Sequence, residues 1–150
     1  MKTLYTIHPH FQHFLDFKNG EIIQLYSGLR KFILNLSPKC NELIYNTHAL
    51  TSVYTLSEKL SDAYCMIPIY SNHLNLGFNK GVLLDDPHLL LKGTGKFIRH
   101  IPISNETEYR NDKVRMIIMA AIDLASSEMS GKANPKERTI SKIKGMPDPY

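Results

Sequence analysis

Gly93-Thr94-Gly95-Lys96, followed by Arg99 and His100, is the part of this sequence whose residue types best suit an anion. Two glycines permit a tight loop whose N–H groups converge on negative charge, with an ammonium and a guanidinium close by. It is not a Walker loop, because no glycine precedes it at the required spacing and Phe97 stands where Ser or Thr is needed. It is not a dinucleotide fingerprint either. A purely structural role is open to the same residues: Gly93 ending a short helix, Gly95 turning the chain into a strand, and Arg99 pairing with a local carboxylate. Arg99 and His100 are neighbours on an expected strand and so point to opposite faces. His100 is an imidazole suited to acid–base work, but no Ser, Cys or carboxylate partner can be assigned to it by sequence.

His8-x-His10-x-x-His13 is the densest group of metal-capable side chains. If the chain were extended there, His8 and His10 would share a face and chelate Zn²⁺ or Ni²⁺ weakly. No fourth ligand has a defined position, and Pro9 and Phe11 suit a packed surface arm. Tyr45, Tyr54, Tyr64 and Tyr70 fall on different expected strands, where tyrosine fits a half-buried sheet. Cys40 and Cys65 are too far apart in sequence for a metal knuckle and read as buried thiols in a reducing compartment.

These groups must be held by regular elements. Ile22, Ile23, Leu25, Tyr26, Leu29, Phe32, Ile33 and Leu36 recur at three- and four-residue steps, which predicts a helix over 21–36. Its outer face is Glu21, Gln24, Ser27, Arg30, Lys31 and Asn35, and Ser37-Pro38 stops it. Residues 42–48, 52–56, 63–70 and 73–78 predict successive strands, and 97–103 a last one. With no helix between the first four, the pairing is antiparallel. Asp86-Pro87 reads as a helix start ended by Gly93. Asn105 and Glu108 have capping-box spacing at the head of a helix over 108–129.

The division expected is a 1–19 arm, a 20–129 domain and a flexible basic tail over 130–150. Residues 130–150 carry five basic and two acidic side chains, a balance of +3 of the total +4. The domain is therefore nearly neutral, which argues against a nucleic-acid-binding surface. The opening residues lack a signal-peptide run, and Met116 to Ile122 is too short to span a bilayer. The expected location is the cytoplasm, with no membrane partner. The fold expected is α+β: an antiparallel sheet of about five strands packed against N-terminal and C-terminal helices.

Leu74-Asn75-Leu76-Gly77-Phe78-Asn79-Lys80-Gly81, Asp86-Pro87, Leu90-Leu91, Gly93-Thr94-Gly95-Lys96 and Ile98-Arg99-His100-Ile101 together resemble the signature of the YdhG-like domain of unknown function. Glu42-Leu43-Ile44-Tyr45, Ala49-Leu50, Ser57-Glu58-Lys59-Leu60 and Asp62-Ala63 resemble one branch of it, so the likeness spans about residues 20–125. It implies a two-layer, frataxin-like architecture, and a member has been described as a frataxin-like iron chaperone. Weak iron binding needs several carboxylates. The outer face of helix 21–36 offers only Glu21, beside Arg30 and Lys31, and Asp85-Asp86 is more economically a cap.

The sequence thus leads to a non-catalytic binding or chaperone-like module, with Gly93, Thr94, Gly95, Lys96, Arg99 and His100 as an anion site. Its partner is a small anionic ligand or a protein, it needs no cofactor, and an exposed sheet face is compatible with a homodimer. A metal-handling protein and an enzyme using His100 are the alternatives.

Overall fold

The computed structural model describes residues 6–37, 39–129, 133 and 135–150. Among these residues it is α+β, with three helices and a six-stranded sheet. The first helix, α1 (Pro9–Leu15), starts where the His8 imidazole accepts the His10 N–H and proline occupies the first helical position. The chain then runs through α2 (Gly20–Leu36), β1 (Asn41–Asn46), β2 (Leu50–Thr55), β3 (Ala63–Ile69), β4 (Leu74–Phe78), β5 (Arg99–Ile103), α3 (Asp112–Glu128) and β6 (Thr139–Ser141).

The sheet order is β5-β4-β3-β2-β1-β6. Neighbours from β1 to β5 are antiparallel, and β6 lies parallel to β1 with Glu42 opposite Thr139 and Ile44 opposite Ser141. The sheet is therefore mixed, with one strand more than expected. The extra strand comes from the segment expected to be a flexible tail. It is docked by backbone pairing, with Glu42 N–H donating to Arg138 O and Lys142 N–H to Ile44 O. Lys136 N–H adds a bond to Asn41 Oδ1.

Alternation divides the sheet into two faces. Ile44, Tyr54, Cys65, Ile67, Leu74, Leu76, Phe78, Ile101 and Ile103 form one core with the buried stripes of α2 and α3. Phe11 and Leu15 of α1 join it, and Phe11 stacks on Tyr26 with centroids 4.9 Å apart. Helix α1, within the expected N-terminal arm, thus packs on the same core as α2 and α3, and Ile7 packs against it as well. On the opposite face a smaller cluster gathers Leu43, Val53 and Ala63 under Tyr45, Met66 and Ile140. The register slips between Tyr54/Thr55 and Ala63/Cys65, leaving Tyr64 as an extra residue that joins the helix-side core.

Two expected helix starts fall elsewhere. The Asn105–Glu108 capping box exists, but it closes a 3-10 turn at Glu106–Glu108, and Asn111 caps α3 by accepting the Val114 N–H. After Asp86-Pro87 there is a turn instead of a helix, and the Asp86 carboxylate accepts the N–H groups of Leu90 and Leu91. Among the described residues no helix is long and apolar enough to cross a membrane.

Candidate ligand-binding cleft

The loop at Gly93–Lys96 is exposed and built around Arg99. Gly93 has φ 123°, a conformation that favours glycine. Arg99 Nη1 donates to Gly95 O at 2.6 Å and to Ile98 O at 2.8 Å, so the guanidinium stiffens the turn through its carbonyls. Gly81 makes room for this, since a Cβ there would lie 2.5 Å from Arg99 Cβ. Lys96 Nζ lies 5.4 Å from the Phe97 ring centroid. Arg99 stands opposite Phe78 and His100 opposite Gly77, so the two side chains leave on opposite faces. His100 pairs with Lys92 through two backbone hydrogen bonds of 2.7 and 2.9 Å. The loop therefore gathers Gly93, Gly95 and Arg99, and the His100 imidazole also borders it, with Nδ1 3.5 Å from where a Cβ on Gly93 would lie.

The histidines separate. His13 packs edge-on against Phe14 and Phe17, whereas His8 and His10 meet with ring centroids 4.6 Å apart. Among the described residues no three His, Cys, Asp or Glu side chains come together as a metal site. Tyr54 and Tyr64 are core residues, and Tyr70 stacks on His73. Cys40 and Cys65 are buried free thiols. Burial pushes Cys40 up to about 11 and Cys65 well above its ordinary value, so neither is a ready nucleophile.

Where the two ends of the described chain meet, the fold leaves a cleft of about 380 Å³. His8 and His10, each 7% exposed, line it from the head of α1. Thr139 and Ser141 project into it from β6, Arg138 stands beside them, and Ile143, Met146 and Tyr150 supply apolar surface. His10 holds two polar groups: Nδ1 lies 2.7 Å from Ser141 Oγ and Nε2 lies 2.7 Å from Pro147 O. The Tyr150 ring meets His8 edge-on at 5.5 Å. Asp148 accepts the Tyr150 N–H, and Arg138 pairs with Glu58 at 2.6 Å.

Beneath the cleft lies a buried ion pair. Arg30 Nε and Nη2 donate to Glu42 Oε2 and Oε1 at 2.8 and 3.0 Å, and both side chains are 2% exposed. The Tyr54 hydroxyl donates to Glu42 Oε2 at 2.8 Å, and Thr139 Oγ1 donates to Oε1 at 2.7 Å. Ser52 links the Tyr54 and Tyr26 hydroxyls. Burial opposes the charged guanidinium, but Glu42's hydrogen bonds and charge outweigh it and hold Arg30 above its ordinary value. Burial, reinforced by the Glu42 charge, raises the Tyr26 and Tyr54 phenols. Arg30, expected on the outer face of its helix, is turned inward because Glu42 on β1 stands beneath it.

By sequence, Thr139 and Ser141 fall in a segment expected to be a tail and carry no assigned role. The signal available was Thr139-Ile140-Ser141-Lys142-Ile143, where β-branched residues recur among polar ones. Together, fold and cleft define an α+β protein with a mixed six-stranded sheet and a polar cleft at its β6 edge. Compared with protein-family models, curated proteins and solved structures, the chain matches none.

Proposed function

We propose that this protein is a small binding module that holds a partly apolar ligand with an acidic group in the cleft between α1 and β6. The observation that carries the reading is convergence: two buried imidazoles, two hydroxyls and a half-exposed guanidinium face one cleft of about 380 Å³. Arg138 supplies a cation at the rim, Thr139 and Ser141 supply hydroxyls, and Tyr150 and Met146 accept the apolar part. Fixed hydrogen bonds at His10, Thr139 and Asp148 keep this wall organised before a ligand arrives.

An anion at Gly93–Lys96 is the second reading. It is favoured by the Arg99-stiffened turn, which leaves Lys96 exposed, and it keeps the YdhG-like resemblance of residues 74–101 as its companion proposal.

A thermal-shift panel of phosphate, nucleotides and small aromatic and aliphatic carboxylates separates the two. The cleft reading expects stabilisation by a carboxylate that is lost in Arg138→Ala and kept in Lys96→Ala. The opposite pattern places the ligand at the loop. No shift with any member of the panel overturns both.

A further inference from the structure

The tautomer of a neutral His10 can be read from hydrogen-bond chemistry alone. A backbone carbonyl only accepts, so the 2.7 Å contact between His10 Nε2 and Pro147 O requires the proton to sit on Nε2. In the neutral imidazole Nδ1 is then a bare lone pair. The 2.7 Å contact to Ser141 Oγ must be the hydroxyl donating its proton toward that nitrogen. A hydroxyl, a base in hydrogen-bond reach and a third group fixing the base are the three parts of an activated nucleophile.

We propose that Ser141 is a nucleophile activated by His10, and that the cleft carries out acyl transfer on small carboxylic esters. This goes beyond ligand binding and does not depend on which anion the cleft prefers. Ser141 Oγ attacks the ester carbonyl carbon and its proton passes to His10 Nδ1, while Nε2–H stays on Pro147 O. The tetrahedral adduct collapses with cleavage of the bond to the alcohol oxygen, which leaves carrying the proton from Nδ1. Water then attacks the acyl group on Ser141, giving a proton to Nδ1. As the acid departs, that proton returns to Oγ.

The positions suit this chemistry. Ser141 is partly exposed on the cleft wall, whereas His10 is nearly buried and its backbone is pinned by the His10 N–H bond to His8. The imidazole is therefore held in place while the hydroxyl remains reachable. The Ile143 N–H donates to Ser141 Oγ at 3.3 Å, which orients the hydroxyl and leaves its own proton for His10 Nδ1. A carbonyl replaces the carboxylate that more often orients such a base, so it offers the imidazolium a weaker partner. Slow turnover with an accumulating acyl-enzyme is the expected behaviour.

A fluorophosphonate probe tests the pairing directly, with mass spectrometry locating the adduct. The folded protein is expected to be labelled at Ser141, and Ser141→Ala to lose that adduct. His10→Gln keeps a donor for Pro147 O but offers no base at Nδ1, and should be labelled roughly a hundredfold more slowly. Wild-type protein in denaturant should also lose labelling, because only the fold brings together residues 131 positions apart. No adduct on Ser141 overturns the proposal, as does an undiminished rate in folded His10→Gln or in denaturant. None of these results bears on whether a carboxylate binds, so the cleft reading survives or fails on its own test.

Discussion

Thr139 Oγ1 donates to Glu42 Oε1 at 2.7 Å, joining the last strand of the sheet to a carboxylate on the first, 97 residues earlier. Through that bond the cleft wall and the buried Arg30–Glu42 pair form one hydrogen-bonded unit. Glu42 receives Arg30 through two nitrogens, and Tyr54 and Thr139 through their hydroxyls, so both of its oxygens are satisfied. Buried charge persists in a protein when its partners are this complete.

Removing one partner should therefore be far costlier than removing both. Glu42→Leu leaves the Arg30 guanidinium buried without its counter-charge, and should cost about 3–5 kcal/mol. The double variant Arg30→Met/Glu42→Leu should be more stable than Glu42→Leu alone. Urea unfolding of the two variants and of Arg30→Met completes the cycle, and a double variant less stable than Glu42→Leu would contradict the account.

Thr139→Val keeps the shape of the side chain and deletes only the donor to Glu42. One of the four bonds to the carboxylate is lost, for a cost of about 1.5–3 kcal/mol, as befits a hydrogen bond to a charged group. The same substitution should increase hydrogen exchange at the Lys142 amide, which pairs with Ile44 O across the β1–β6 ladder. Unchanged exchange there would mean that backbone pairing alone holds the strand.

Gly28 faces the Tyr109 ring across the α2 surface. A Cβ at Gly28 would lie 2.3 Å from the Tyr109 hydroxyl, and Tyr109 is almost wholly buried. Gly28→Ala should thus destabilise by about 1–3 kcal/mol through overpacking, although alanine in a helix interior ordinarily gains up to about 1 kcal/mol over glycine. In a Tyr109→Phe background the offending oxygen is gone, and the sign should reverse. Thermal melts of the four proteins decide it.

Much of this fold was legible because its signals are local. The stripe from Ile22 to Ile33 identifies α2, and alternation at Leu74, Leu76 and Phe78 identifies β4. What escaped depends on distant partners. Thr139–Ser141 is three residues long, lies among lysines and prolines, and becomes a strand only by adding to β1. Arg30 reads as a surface cation until Glu42 is placed beneath it. The cap of α3 lies six residues beyond the expected one, because Asn105 and Asn111 both stand in front of acidic residues and each caps a segment, Asn105 the 3-10 turn and Asn111 the helix. At the site, His10 was visible as a chemically capable side chain but without its partners. Its partners Ser141 and Pro147 are 131 and 137 residues away, so no spacing could reveal them.

Cys40 gives a prediction in pH. Burial moves its thiol from an ordinary 9.0 up to about 11, so the folded protein binds this proton more tightly than the unfolded chain does. The corresponding stability is fully present below pH 9 and is lost as pH rises through about 11. Urea midpoints should therefore fall across that window, and Cys40→Ala should fall less steeply because the other alkaline groups remain while this one is removed. At pH 8 a disulfide reagent should leave both cysteines unmodified until the protein unfolds, since each is buried and held as the neutral thiol. Rapid modification of native protein at that pH, or equal slopes for the two proteins between pH 9 and 11, would show that burial of Cys40 does not control its proton.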